Sequence, residues 1–327
     1  MQVIINQFGT FVGKKENRFT IVYKDVKDEH SADKVDQIKI LCASSISSEA
    51  VKLAVNNNID IVFLGKFGEP YARIYPCKLG GTTLTRKEQA KAYLNDKGPF
   101  LVKKFLEAKL KNQLFHLKRL NKTREGAFLS EIAKIEANLG NFSEFPTGDM
   151  DKIRNNYLGY EGNSAAIYFS CLNQIAKFSN RDPKSRDIFN IALNYGYGIL
   201  YSEIERACIV AGLDPYLGFL HTDRYGKPSM VLDLIEQFRP IIDKAILKLF
   251  VQKRVDIKDL EMVEQQIVLT KEGRSKIISE VLESLNLQMS YRGKNLSVMQ
   301  IIQEQAREVA RFIVGQSENY EPFVWRE

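Results

Sequence analysis

This sequence of 327 residues is poor in the residues on which several common chemistries depend. It holds four cysteines and three histidines. The cysteines are Cys42, Cys77, Cys171 and Cys208, and none of them lies in a CxxC pair. Zinc clusters and redox dithiols usually use such pairs, so neither is indicated. In a chain of this length we expect the cysteines to be small buried hydrophobic residues.

Other signals are also absent. No apolar run approaches the roughly 20 residues that a membrane-spanning helix requires. The first segment is not typical of a signal peptide, because Lys14 and Lys15 follow its apolar residues rather than precede them. No GxxxxGK[ST] loop, dinucleotide-binding glycine fingerprint or GxSxG elbow is present, which argues against NTPases, nicotinamide enzymes and serine hydrolases. We therefore expect a cytoplasmic protein with no membrane partner.

Positive charge is in modest excess. Lysine and arginine number 47 against 40 acidic residues, giving a net charge of +7. This excess is compatible with a polyanionic partner and equally with an ordinary solvated surface. It is concentrated in residues 103–122, which carry seven basic residues and one glutamate. This stretch predicts a helix whose basic face either follows phosphates or simply faces solvent.

The hydrophobic pattern divides the chain in two. Short runs rich in β-branched and aromatic residues predict strands. These runs are residues 3–5, 19–23, 38–41, 59–64 and 71–75. A short helix is predicted after Ser47, ending at the asparagines 56–58. Beyond residue 86 nearly every segment has helical periodicity, and only the last residues, 317–327, look loose.

The predicted fold class is therefore α+β, a small β-rich N-terminal domain followed by a larger all-α C-terminal domain. We place the first domain at residues 1–80, a linker at 81–86 and the helical domain at 87–327.

Glu161 is the first candidate site residue. At helical spacing it shares a face with Ala165, Tyr168, Leu172 and Ile175, so its carboxylate points toward the core side. An unpaired ionised carboxylate there would cost several kcal/mol. The alternative is an acid near a helix start, favoured by only ~0.3–1 kcal/mol. Spacing alone leaves both interpretations open.

The segment from Asp233 to Pro240 carries two more acids on one helix face. Asp233 and Glu236 are three residues apart, and like charges at that spacing cost ~0.2–0.5 kcal/mol unless a cation lies near them. Pro240 crowds the carbonyl of Glu236, which predicts a kink or break beside that carboxylate. A solvated polar stripe is the alternative interpretation.

His221 follows a long helical run and precedes a polar loop. A lone histidine after Gly-Phe-Leu is more often a half-buried structural side chain than a ligand. Together with Glu161 and Glu236, however, it completes two hard oxygen donors and one imidazole, a set that suits Mn²⁺ and tolerates Mg²⁺. Asp233, one turn from Glu236, is placed to orient a ligand or a bound water.

Basic residues of the same segment are candidates for holding phosphates, and a metal would polarise a phosphoryl oxygen there. The DNA-binding candidates are Arg73, Arg224, Lys227 and Arg239.

Four stretches resemble a known family, the CRISPR adaptation endonuclease and integrase, the larger of the two universal spacer-acquisition proteins. They are YEGNSAAIYF at 160–169, the helical run at 187–221, DRYGKPS at 223–229 and DLIEQFRP at 233–240. Their order and spacing match the family, and the likeness spans most of the chain, including the β-rich front.

The resemblance implies a metal-dependent DNA nuclease and integrase with Mg²⁺ or Mn²⁺ held by a Glu, a His and a second acid, here Glu161, His221 and Glu236. Some members have Asp at the position of Glu236. It further implies that the 3′-hydroxyl of a protospacer duplex attacks a phosphodiester of the CRISPR repeat, without ATP. It implies homodimers formed through the β domains and a complex with the small second adaptation protein.

Two other readings remain. One is a stand-alone, structure-selective nuclease that uses the same ligands on branched or single-stranded DNA, with water as nucleophile. The other is a DNA-binding scaffold in which the carboxylates are only structural.

Overall fold

The computed structural model describes residues 1–74, 83–178, 180–221, 226–263 and 265–325. Contacts divide the chain into two units, Met1–Leu79 and Gly80–Glu327. Three of the residues singled out above, Tyr75, Cys77 and Arg224, lie outside the described residues, as do residues 81–82 of the predicted linker.

The first unit contains eight strands and one α-helix among its described residues. In chain order they are β1 (Gln2–Ile5), β2 (Phe11–Lys15), β3 (Arg18–Tyr23), β4 (Val26–Ser31), β5 (Gln37–Ile40), β6 (Ser45–Ile46), α1 (Ser48–Asn56), β7 (Asp60–Leu64) and β8 (Pro70–Ile74). One sheet has the order β1-β5-β7-β8, with β8 antiparallel to β7 and the other pairs parallel. The second has the order β4-β3-β2-β6.

Alternating apolar residues of both sheets form one core, which includes Val3, Val12, Phe19, Ile38 and Ile61. The sequence pattern does not predict strands β2 and β4, because lysines, acids and a histidine interrupt their apolar residues. Arg73, for which DNA binding is predicted, lies in β8 with a buried side chain, and its DNA-binding role stays a prediction. Its guanidinium forms a buried ion pair with Asp60, which lies diagonally across the antiparallel pair, two residues before Val62, the residue opposite Arg73.

The second unit is mainly helical. Its helices are α2 (Thr83–Tyr93), α3 (Lys97–Lys122), α4 (Leu129–Glu144), α5 (Met150–Ala176), α6 (Ile188–Ala211), α7 (Ser229–Ile235), α8 (Arg239–Val251), α9 (Lys271–Asn286) and α10 (Val298–Val314). Two antiparallel hairpins interrupt them, β9 (Leu260–Val263) with β10 (Gln266–Leu269) and β11 (Gln288–Tyr291) with β12 (Lys294–Ser297).

The α+β class is confirmed, with strands first and a mostly helical remainder. Two details differ. The hairpins mean that the second unit is not purely helical, and residues from Thr83 onward, inside the predicted linker, already belong to α2.

Helix α3 lies at the centre of the second unit and packs against α4, α5, α8 and the turn between α7 and α8. Some of its lysines contact neighbouring elements, while Lys104 and Lys111 pair with Glu107 of the same helix. Lys103 donates to the carbonyls of Ser143 and Phe145, and Lys118 pairs with Glu136. The basic side chains of Arg119 and Lys122 are exposed, so the solvated and the phosphate-following interpretations of the basic stretch both stay predictions.

The C-terminal segment is packed rather than loose, so that expectation is wrong. Tyr320, Phe323 and Trp325 are all buried. The side chain of Asn112 on α3 donates to the carbonyl of Phe323 and accepts from the backbone N–H of Trp325. Phe323 also stacks on Phe238, with ring centroids 5.0 Å apart. Buried amide side chains thus satisfy the irregular backbone of this segment, which lacks hydrophobic periodicity.

Candidate active site

Glu161 lies in the middle of α5, eleven residues after the helix begins at Met150. The interpretation of Glu161 as an acid near a helix start is therefore wrong. One face of α5 is buried through Tyr168, Cys171 and Leu172, and the Glu161 side chain, 21% exposed, stands at the edge of that face.

Glu236 begins a short 3₁₀ turn, Glu236–Phe238, that joins α7 to α8. Pro240 sits in the first turn of α8, where a missing N–H is tolerated. The predicted break beside Glu236 is therefore confirmed. The break changes the direction of the backbone at Glu236. The carboxylate of this residue, only 5% exposed, therefore lies inside the unit rather than in solvent. The solvated-stripe interpretation of this acid is wrong.

Lys109 of α3 joins the two carboxylates. Its ammonium donates hydrogen bonds to Glu161 Oε1 and to Glu236 Oε2, and its side chain is 9% exposed. The sequence pattern does not single out Lys109, because it is one of several basic residues in the stretch 103–122. The only signal was its position among Phe105, Leu106 and Leu110 on the apolar face of the helix.

Charge governs the ionisation of this cluster. Burial alone would raise the pKa of Glu236, but the positive charges of Arg239 and Lys109 outweigh it and lower the pKa to about 2. The Arg239 Nε lies 2.8 Å from Glu236 Oε1. Burial likewise disfavours the ammonium of Lys109, yet the charges of Glu236 and Glu161 raise its pKa. Glu236 and Lys109 are therefore both charged at neutral pH.

His221 is positioned by Asp233. Oδ1 of Asp233 lies 2.8 Å from His221 Nδ1 and accepts from the His221 backbone N–H at 3.1 Å. Oδ2 accepts from the backbone N–H groups of Phe219 and Leu220. This carboxylate, which is completely buried, fixes both the loop and the orientation of the imidazole, leaving Nε2 as the nitrogen not engaged by Asp233.

Burial lowers the pKa of His221, but the hydrogen bond and charge of Asp233, with a further contribution from the charge of Glu236, raise it above its ordinary value. The charge of His221 in turn helps to lower the pKa of Glu236. His221 and Glu236 therefore lie close enough for their charges to interact.

A cleft of about 570 Å³ opens beside the carboxylate cluster. It is lined by Lys109, Gln113, Glu161, Gly162, Ala165, Ala166, Phe169, Ser170, Asn180, Arg181, Pro183, Tyr197, Glu236, Arg239 and Asp243. Two predicted DNA-binding residues of this unit are described, and of these Arg239 lines the cleft, whereas Lys227 is exposed and does not line it.

The donor set fits a hard divalent cation. Among the described residues, no group of three His, Cys, Asp or Glu side chains is arranged to hold a metal as the structure stands. At Glu161 and Glu236, the Lys109 ammonium occupies the position between the two carboxylates. One buried and one partly exposed carboxylate converge on one cation, and an oriented imidazole interacts through its charge with the buried one. Carboxylates and imidazoles are ligand types that Mg²⁺ and Mn²⁺ accept.

No helix within the described ranges combines the length and the apolar composition that crossing a lipid bilayer requires.

Comparison with known proteins gives a consistent result. The sequence profile of a family described as CRISPR associated protein Cas1 matches residues 3–283. One curated relative, the CRISPR-associated endonuclease Cas1 1 of Archaeoglobus fulgidus, is 34% identical over 346 aligned positions that cover 99% of each chain.

Solved structures share the fold. A casposase bound to integration product superimposes with a TM-score of 0.81 at 24% identity, covering 98% of this chain and 92% of that chain. A chain of a Cas6-RT-Cas1–Cas2 complex gives a TM-score of 0.80 at 15% identity, covering all of this chain and 36% of the longer one.

Proposed function

We propose, from the premise that this chain belongs to the family of CRISPR-associated protein Cas1, that it is a metal-dependent DNA endonuclease and integrase that inserts foreign DNA fragments into a CRISPR repeat array. One observation carries the proposal. Glu161 and Glu236, 75 positions apart in the sequence, direct their carboxylates at a single cation beside an open cleft. A scaffold has no need for this arrangement, because burying charged carboxylates is expensive.

Glu161, Glu236 and His221 would hold Mg²⁺ or Mn²⁺ in place of the Lys109 ammonium. When bound, such an ion polarises a phosphoryl oxygen and stabilises the charge that develops on the leaving oxygen. Glu236 is ionised across the whole physiological range, so it is ready to act as a ligand without losing a proton. Glu161, on α5, supplies the second carboxylate of the pair.

His221 contributes its Nε2, because Asp233 holds the other ring nitrogen. Asp233 itself is too engaged to be a ligand, since it accepts three backbone hydrogen bonds besides the imidazole contact. We therefore assign Asp233 the role of orienting His221. Because the pKa of His221 is raised, protons compete with a metal for this ring up to a higher pH than for an ordinary histidine, so metal affinity depends on pH.

The partners of the relatives support DNA as the substrate and a small second protein as the partner. One related structure holds an integration product and another is named as a complex with Cas2. We propose that this chain binds protospacer duplex and CRISPR repeat DNA in the cytoplasm and assembles with the small second adaptation protein. Homodimerisation through residues 1–80 is part of the same proposal.

The test is strand transfer of a duplex with 3′-hydroxyl ends into a supercoiled plasmid carrying the repeat, with Mn²⁺ or Mg²⁺ present. Glu161→Gln, Glu236→Gln and His221→Ala should each reduce the rate by at least about 100-fold, more than changes in the surrounding hydrogen bonds usually cost. Glu136→Gln, an exposed acid on α4, is the matched control.

Cleavage of branched DNA without any joined product would favour the stand-alone nuclease instead. Wild-type activity in all three variants would show that these residues are not the catalytic site.

A further inference from the structure

Arg181 is a cation without an acidic partner at the rim of the cleft. Its Nη1 donates to Asn190 Oδ1 and its Nη2 to Asn194 Oδ1, both at 2.8 Å. Within the described part of the chain it forms no ion pair with a carboxylate. Both supporting groups are neutral amides of α6, so they fix the guanidinium plane without cancelling its charge.

The same guanidinium rests on Tyr197. The central carbon of Arg181 lies 5.6 Å from the centroid of the Tyr197 ring, and that of Arg239 lies 4.7 Å from the same centroid. Cation–π contact holds both arginines against one aromatic side chain, and all three residues line the cleft. The hydroxyl of Tyr197 donates to the buried carboxylate of Asp243, which anchors the ring.

The two arginines differ in charge balance. Glu236 neutralises Arg239 through a hydrogen bond of 2.8 Å, whereas Arg181 keeps its full charge. Three cations and three carboxylates line the cleft, namely Lys109, Arg181, Arg239, Glu161, Glu236 and Asp243. A divalent metal at the carboxylate pair would therefore turn the lining from balanced to positive. Among the described residues, Arg181 is the lining cation that no carboxylate contacts, although its charge does act on Asp243.

We propose that Arg181 is a phosphate-binding residue, which holds a backbone phosphodiester of the DNA strand in the cleft beside Glu161 and Glu236. A planar guanidinium with fixed orientation and unused N–H groups matches the geometry of phosphate oxygens. The inference rests on the proposed function in one respect, that DNA enters this cleft. It adds a contact that the motif around His221 and Glu236 does not contain, since Arg181 lies outside all four resembling stretches.

The experiment measures binding of a 3′-overhang duplex by fluorescence anisotropy across a salt series, with Ca²⁺ present to replace the catalytic metal. Arg181→Gln should weaken binding about tenfold or more, the cost of a charged hydrogen bond. The slope of log K against log salt should fall by about 0.9, the value for one phosphate contact. Arg181→Lys, which keeps the charge, should retain the slope.

Two further variants make the result decisive. Asn194→Asp keeps Arg181 but places a carboxylate against its guanidinium, so it should reproduce the loss in affinity even if Arg181→Gln fails to fold. Lys294→Gln, an exposed change on β12, removes the same unit of charge at a distance from the cleft lining.

If Arg181→Gln and Lys294→Gln had the same DNA affinity and the same salt slope, the proposal would be overturned. Arg181 would then have only a structural role, through its hydrogen bonds to α6. This binding assay does not require turnover. If wild-type protein binds DNA through Arg181 but transfers no strand, the proposed function fails while this inference stands.

Discussion

The imidazole of His221 lies against the carboxylate of Asp233, with 2.8 Å between Nδ1 and Oδ1. This contact sets both the orientation and the proton affinity of the histidine. Because Asp233 also accepts three backbone N–H groups from Phe219, Leu220 and His221, one side chain links the loop geometry to the chemistry of the ring.

The first prediction concerns Asp233→Asn. Whichever way the new amide turns, its NH₂ group faces backbone donors, so the free energy of unfolding should fall by about 2 kcal/mol or more. Loss of the negative charge should also lower the pKa of His221. The chain holds three histidines, so an NMR titration can resolve them, and His221→Gln identifies the signal. An unchanged His221 pKa would contradict the assigned role.

The second prediction concerns Lys109→Met. Without metal, removal of the shared ammonium leaves Glu161 and Glu236 short of a cation and should cost about 3–5 kcal/mol of stability. Mn²⁺ should then raise the melting temperature more than it does in wild type, because no ammonium competes for the position. Lys111→Met, a partly exposed lysine of the same helix, is the control. Equal Mn²⁺-induced shifts in both variants and wild type would show that the metal binds elsewhere.

The third prediction concerns Asp243. Burial raises its pKa from an ordinary 3.8 to about 6, despite the hydrogen bond from Tyr197. A carboxyl group whose pKa is raised in the folded state stabilises that state when it is protonated. The contribution of Asp243 to the free energy of unfolding is therefore complete below about pH 3.8 and is lost as pH rises through 6. Asp243→Asn should therefore gain stability relative to wild type between pH 4 and 7, by roughly 3 kcal/mol.

Urea unfolding of wild type and Asp243→Asn at several pH values measures this difference. Asp151→Asn, an exposed acid, supplies the baseline. A difference that does not change with pH would contradict the raised pKa.

The fourth prediction concerns the C-terminal segment. The backbone N–H of Phe323 donates to Gln237 Oε1 at 2.6 Å, and its ring stacks on Phe238. Both partners belong to the 3₁₀ turn that carries Glu236. Phe323→Ala should cost about 3–5 kcal/mol of stability. It should also reduce Mn²⁺ affinity at temperatures where the protein remains folded, because the turn loses a brace.

Phe312→Ala provides a matched control, since Phe312 is also buried and stacks on Phe100 with centroids 5.2 Å apart. It should reduce stability without changing Mn²⁺ affinity, which can be followed by electron paramagnetic resonance. Equal affinities for Mn²⁺ in the two variants would mean that the tail does not position Glu236.

Local patterns predicted much of the fold. Five strands of the first unit and helix α1 follow from alternation and from a serine cap, since Ser47 accepts from the N–H of Ala50. The break after Ile235 follows from the proline five residues later. Strands β2 and β4 do not follow, because charged residues on their exposed positions hide the alternation.

The site was predictable only in part. Acids and a histidine stand out by residue type, but Lys109 has the appearance of one more lysine in a basic helix, and only tertiary packing buries it. The C-terminal segment shows no hydrophobic periodicity. Its burial could not be predicted from its own residues, because its backbone bonds to the side chains of Asn112 and Gln237, which are distant in the sequence. It also lies beyond residues 3–283, the range that the family profile matches.

The packing of the C-terminal segment affects the order in which parts of the protein fold during translation. The Asn112 NH₂ group donates to the carbonyl of Gln237, but its Oδ1 accepts from the backbone N–H of Trp325, 213 positions later, and this contact has to wait until Trp325 has been synthesised. The turn that carries Glu236 therefore stays without its brace while most of the helical unit is already available to fold. If the proposed function holds, the metal site forms only after the C-terminal segment has packed, and a partly synthesised chain should cut the cell's own DNA poorly.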